Sequence, residues 1–105
     1  MNVVYTDKAK AYLDKIGKTD VIVSSFRAKG CAVKPEEVIE AISAERAEEL
    51  VAIGTPCVQG EVGRLFITNS WMPDDPDRTF EVDVRSFLGT KTITVSGLKK
   101  PNLPV

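Results

Sequence analysis

Phe80-Glu81-Val82-Asp83-Val84 alternates apolar and charged residues without a break, and Thr92-Ile93-Thr94-Val95-Ser96 repeats the alternation later in the chain. Side chains alternate across a strand with period two. Each segment therefore turns one apolar face to a core and one polar face to water, as a half-buried antiparallel strand does. A chain carrying two such segments needs an antiparallel or mixed sheet as the base of its fold.

The N-terminal part adds helix to that sheet. Val3-Val4-Tyr5 reads as a short strand, and Thr6 offers an N-cap oxygen to a segment whose Ala9, Tyr12, Leu13 and Ile16 follow helical spacing up to Gly17. Val21 to Phe26 is rich in β-branched residues, and its first half is apolar on both faces, as in a strand covered from two sides. Pro35 suits the first turn of a helix, with Glu36 and Glu37 at its positive end and Val38, Ala41 and Ile42 as its apolar stripe. Ser43 can cap a second helix running through Leu50 and Val51 to Gly54, or one bent helix can span both halves. Both readings stand at this level.

Further on, Cys57-Val58 and Arg64 to Thr68 read as strands, joined by a hairpin turn at Gly60-Glu61-Val62-Gly63. Trp71 is expected to anchor the edge of the core, and Met72 to Asp77 forms a turn-rich loop. Pro101 and Pro104 make residues 101–105 an irregular tail. A length of 105 residues suits one modest core. The expected fold is a single α+β domain over residues 1–105: a mostly antiparallel or mixed β-sheet core, an N-terminal helix and a helical insertion.

The residue types restrict the chemistry. Fourteen basic and 15 acidic side chains leave a net charge of −1, which gives no overall attraction to phosphate backbones or anionic lipid. No stretch approaches the roughly 18 apolar residues of a membrane span, so neither nucleic acid nor membrane is an expected partner and a cytoplasmic location is expected. Histidine is absent, which removes Ser/His and Cys/His nucleophile pairs and imidazole ligands. No acid, base and nucleophile can be assembled from spacing, so the chain does not read as an enzyme. Asp74, Asp75 and Asp77 lack the glycine and closing glutamate of a calcium loop, and Gly60 to Gly63 lacks the Lys-Ser/Thr ending of a phosphate loop.

Two cysteines remain. Cys31 follows Gly30 among Arg27, Lys29 and Lys34, an environment that stabilises a thiolate, although a free cysteine can equally be a small buried hydrophobe. Cys57, in Thr55-Pro56-Cys57-Val58, has no charged neighbour and is expected to pack at the start of a strand. Two thiols per chain cannot complete a four-ligand metal site unaided. A transient redox bridge between them is a further reading.

The order of these segments resembles the HesB-like, or IscA-type, iron–sulfur assembly domain, including its branch with a paired-cysteine or cysteine/selenocysteine motif. Val4 to Ala9 is similar to the family's opening strand and helix, Cys31 falls where the first family cysteine follows the second strand, and Gly63 to Ile67 is similar to the middle strand. Phe80 to Leu88 resembles the late strand and turn before a final strand ending at Gly97-Leu98. Leu98-Lys99-Lys100-Pro101 stands in place of the family's C-terminal Cys-x-Cys pair, and the paired motif is reduced to Gly30-Cys31-Ala32. The resemblance implies a role in iron–sulfur or sulfur metabolism. Cys31, with Cys57 as a second ligand, would bind iron, an iron–sulfur cluster or a persulfide across a homodimer interface. The alternative is an interaction module for a protein partner, using the Lys34 to Ile53 segment or the surface near Trp71.

Overall fold

The computed structural model describes residues 1–26, 36–68 and 71–98. Two sheets face one another. The first has the order β1-β6-β7, from β1 (Asn2–Tyr5), β6 (Thr79–Phe87) and β7 (Thr90–Ser96). The second has the order β3-β2-β5-β4, from β2 (Asp20–Phe26), β3 (Glu36–Ile42), β4 (Cys57–Gln59) and β5 (Arg64–Ile67). β1 runs parallel to β6 and β2 parallel to β5, while β2–β3, β4–β5 and β6–β7 are antiparallel. With helices α1 (Asp7–Ile16) and α2 (Ala44–Ala52), the fold is the expected α+β domain with mixed sheets.

Alternation along the strands builds the core between the sheets. Phe80, Val82 and Val84 of β6 meet Ile93 and Val95 of β7 on one side, and Val21, Val23, Leu65 and Ile67 cover them from the other. Ala9 and Leu13 of α1 close one flank, and Trp71 lies buried in the same cluster, as expected. Ile22 points the opposite way, into a smaller cluster with Ile42, Ala47, Leu50 and Phe66 beneath α2. Apolar residues on both faces of β2 thus serve two separate cores.

The insertion differs from its expected form. Residues 36–42 are not helix but β3, paired along its whole length with β2 from Asp20↔Ile42 to Phe26↔Glu36. Residues four apart share a face in both a helix and a strand, so the Val38 to Ile42 spacing fits either. Ile39 and Ala41 pack on the main core while Ile42 enters the smaller one, a two-faced burial that period two supplies. Helix begins only after Ser43, whose Oγ accepts the Arg46 amide at 3.2 Å. The readings of Cys31 and of the 101–105 tail lie outside the described residues.

Thr6 caps α1 as its position suggests, accepting the Ala9 amide at 3.1 Å. Its hydroxyl also donates to Asp83 Oδ1 at 2.7 Å, tying the helix start to β6. That bond, and next the Val84 amide at 2.8 Å, hold the Asp83 carboxyl below its ordinary range. A carboxylate with a depressed pKa stabilises the fold above its unfolded pKa and loses that contribution as pH falls through its folded pKa. Thr6→Ala is expected to cost about 1 kcal/mol at neutral pH through the lost cap alone. The gap between variant and wild type should narrow in strong acid, where Asp83 is protonated in both, as urea titrations at the two pH values will show.

Candidate functional site

Cys57 is placed by the turn that ends α2. Gly54, at φ 81°, lets the chain reverse, with the Gly54 amide on the Val51 carbonyl and the Thr55 amide on the Leu50 carbonyl. The Pro56 carbonyl then accepts the Ile67 amide at 3.0 Å, and β4 begins at Cys57. β4 is the edge of the four-stranded sheet, and Cys57 pairs with Phe66 on the side that faces α2. The thiol is exposed, not packed as its apolar neighbour Val58 suggested. Val58 takes the opposite, inward face, and an edge strand leaves its other face open where α2 has already ended.

The hairpin behind Cys57 is clamped. The Gly60 amide donates to the Gly63 carbonyl at 2.8 Å, and the Tyr5 hydroxyl donates to that carbonyl at 3.0 Å. Burial raises the Tyr5 pKa, outweighing that bond, which keeps the phenol in its donating form. A Cβ on Gly63 would come within 2.1 Å of the Thr19 carbonyl oxygen. Beside it, buried Asp20 accepts the Arg64 amide at 2.8 Å and Arg64 Nη2 at 3.2 Å, and the same Nη2 reaches Glu48 at 3.3 Å. The Asp20 hydrogen bond raises the Arg64 pKa further, and the guanidinium lies 5.6 Å above the Phe66 ring. Forty-four residues separate the members of this pair, so no local sequence pattern signals it.

Phe26 and Glu36, the strand ends that bracket Cys31, pair with one another. Cys57 pairs with Phe66 and Phe66 with Ile22, so Cys57 stands level with the first half of β2, four residues short of Phe26 along the sheet. Among the described residues no three Cys, Asp or Glu side chains converge on a metal-sized site. Cys57 alone therefore offers one soft ligand, and a cluster would need thiolates from elsewhere.

No family model matches this chain, and no curated protein matches it. Among solved structures, the crystal structure of Escherichia coli SufA, involved in the biosynthesis of iron–sulfur clusters, matches with a TM-score of 0.53. The match covers 91% of this chain and 80% of that chain, at 16% sequence identity. The chain resembles SufA in fold. The SufA-like arrangement agrees with the HesB-like expectation for the architecture. Trp71 is buried in the core, as expected of its indole.

A second feature lies away from the thiol. Lys8, Tyr12 and Lys15 of α1 and Asp83, Arg85 and Lys91 of the β6–β7 hairpin line an open cleft of about 660 Å³. Lys91 Nζ lies 5.9 Å from the Tyr12 ring centre. Asp83 is the only carboxylate among the cleft's lining residues. Its Oδ1 is already bonded to Thr6 and the Val84 amide. Residues 8 and 91 are too far apart in the chain for charge patterning to reveal the cluster. No described helix is long and apolar enough to cross a membrane.

Proposed function

We propose that this chain is a non-catalytic protein of iron–sulfur or sulfur metabolism, in which the Cys31 and Cys57 thiolates bind iron, a cluster or a persulfide across a homodimer interface. The likeness of its fold to SufA supports the class of function. The observation that carries the thiol assignment is the exposed Cys57 at the edge of the sheet.

Strand geometry puts Cys57 about 10 Å across and about 13 Å along the sheet from Phe26, hence roughly 16 Å away. Cys31 is five residues from Phe26 and five from Glu36, and five residues of extended chain reach about 17 Å. Glu36, one strand further across, is roughly 20 Å from Cys57, so the two sulfurs of one chain approach each other only with both limbs near full extension. Clusters are commonly held by four thiolates, and two chains with two cysteines each supply that number. The deprotonated sulfurs act as ligands, or as acceptors of sulfane sulfur, and ask no acid–base chemistry of the chain. A reducing compartment such as the cytoplasm suits this use of free thiols.

Anaerobic reconstitution with iron and sulfide tests the assignment. Wild type should gain a visible chromophore and bound iron, and Cys31→Ser and Cys57→Ser should each lose most of it. Equal iron binding by wild type and the double serine variant would refute the role of the thiols.

A further inference from the structure

We propose that the edge of β6 beyond β1 is a docking strip for an extended, acidic peptide segment of a partner protein, which adds as a strand inside the basic cleft. β1 covers β6 only from Thr79 to Val82. The Val82 carbonyl accepts the Thr6 amide, and the chain then departs into α1. β6 continues to Phe87, paired on its other side with β7.

Successive strand residues turn their backbone groups to alternate sides. Val84 and Ser86 share the parity of Val82, so their amides and carbonyls face the side that β1 has vacated. The Val84 amide is taken by Asp83 Oδ1 at 2.8 Å. The Val84 carbonyl and both backbone groups of Ser86 have no backbone or side-chain partner among the described residues. They open into the cleft, whose other wall is α1. An uncovered strand edge is a template for another chain, and strand addition is a recurrent way of binding extended peptides.

The charges define the peptide. Lys8, Lys15, Arg85 and Lys91 all line the cleft, and none has an ion-pair partner among the described residues. Asp83, the one carboxylate, leaves the lining with a charge of +3 in a chain whose total is −1. Such a local excess attracts an acidic segment and repels a basic one. Phe87 and Leu88, 75% and 88% exposed at the hairpin tip, offer apolar contact at the end of the same strand. A free polyanion would use the cations and ignore the strand edge, so the backbone groups favour a peptide. The proposal is independent of the thiol assignment.

The test uses the full chain and a fluorescent Glu-Val alternating hexapeptide, with its Lys-Val counterpart, two N-methylated forms and tripolyphosphate as comparison probes. One N-methylated form blocks the glutamate amides and the other the valine amides. The Glu-Val peptide should bind saturably, the Lys-Val peptide at least tenfold more weakly, and at least one N-methylated form at least tenfold more weakly. Arg85→Glu with Lys91→Glu should weaken binding at least tenfold. Ser86→Pro should do the same at an unchanged melting temperature, because by parity the Ser86 amide does not serve the β7 ladder. If Ser86→Pro does not fold, the N-methylated probes carry the same test. Absence of saturable binding would overturn the proposal. So would equal binding of all three Glu-Val forms, and so would displacement by tripolyphosphate with no effect of N-methylation, which marks a free-anion site.

Discussion

Gly63→Ala is expected to destabilise the fold by about 3 kcal/mol or more, at the upper end of overpacking costs because the obstruction is backbone. The added Cβ would lie 2.1 Å from the Thr19 carbonyl oxygen and 2.6 Å from its carbon, and no rotamer change can relieve either contact. The strain falls where most of the β4–β5 hairpin's anchoring converges. The Gly63 carbonyl accepts from Gly60 and from Tyr5, and the following amide, from Arg64, donates to buried Asp20. At about 4–8 °C per kcal/mol for a domain of this size, the melting temperature should fall by at least about 12 °C. Cys57, carried on the same hairpin, should change its alkylation rate with it. A fall of less than about 2 °C, under half a kcal/mol on the same scale, would show that the hairpin does not approach β2 so closely.

Phe66→Ala is expected to cost about 3–5 kcal/mol, the usual range for emptying a buried aromatic site. Phe66 is 0% exposed and fills the small core beneath α2 with Ile22, Ile42, Ala47 and Leu50. Few other side chains are there to close the cavity, and α2 has little else to hold it. The guanidinium of Arg64 would also lose the ring beneath it. Phe87→Ala provides the control: the same residue type, 75% exposed, should change stability by no more than about 0.5 kcal/mol. Chemical denaturation of the two variants side by side gives the comparison, and similar losses would contradict the burial described.

Strands β6 and β7 were legible because one of their faces is wet, and period two then shows directly as Phe80, Val82, Val84 against Glu81, Asp83. Thr6, Gly17 and Gly54 were legible because capping and left-handed turns depend on local chemistry, while Ser43 was one of two helix starts the sequence left open. β3 was not, because Val38 and Ile42 share a face in a helix and in a strand alike, and only the pairing with β2 decides between them. Cys57 looked packed because its neighbours in sequence are apolar or neutral. Its exposure follows from β4 being an edge and from α2 stopping at Ala52, neither of which is local. The Asp20–Arg64 pair and the basic cleft join residues 44 or more apart, so only the folded topology assembles them.

Thiol protection measured by intact mass tests the central claim most directly. Native protein is treated with an alkylating agent before and after anaerobic loading with iron and sulfide, and the label on each cysteine is read by peptide mapping. Both Cys31 and Cys57 should label in the metal-free protein without denaturant, and both should be shielded once iron is bound. Unchanged labelling of the two sulfurs in the loaded protein, or a Cys31 that reacts only after unfolding, would contradict their use as ligands.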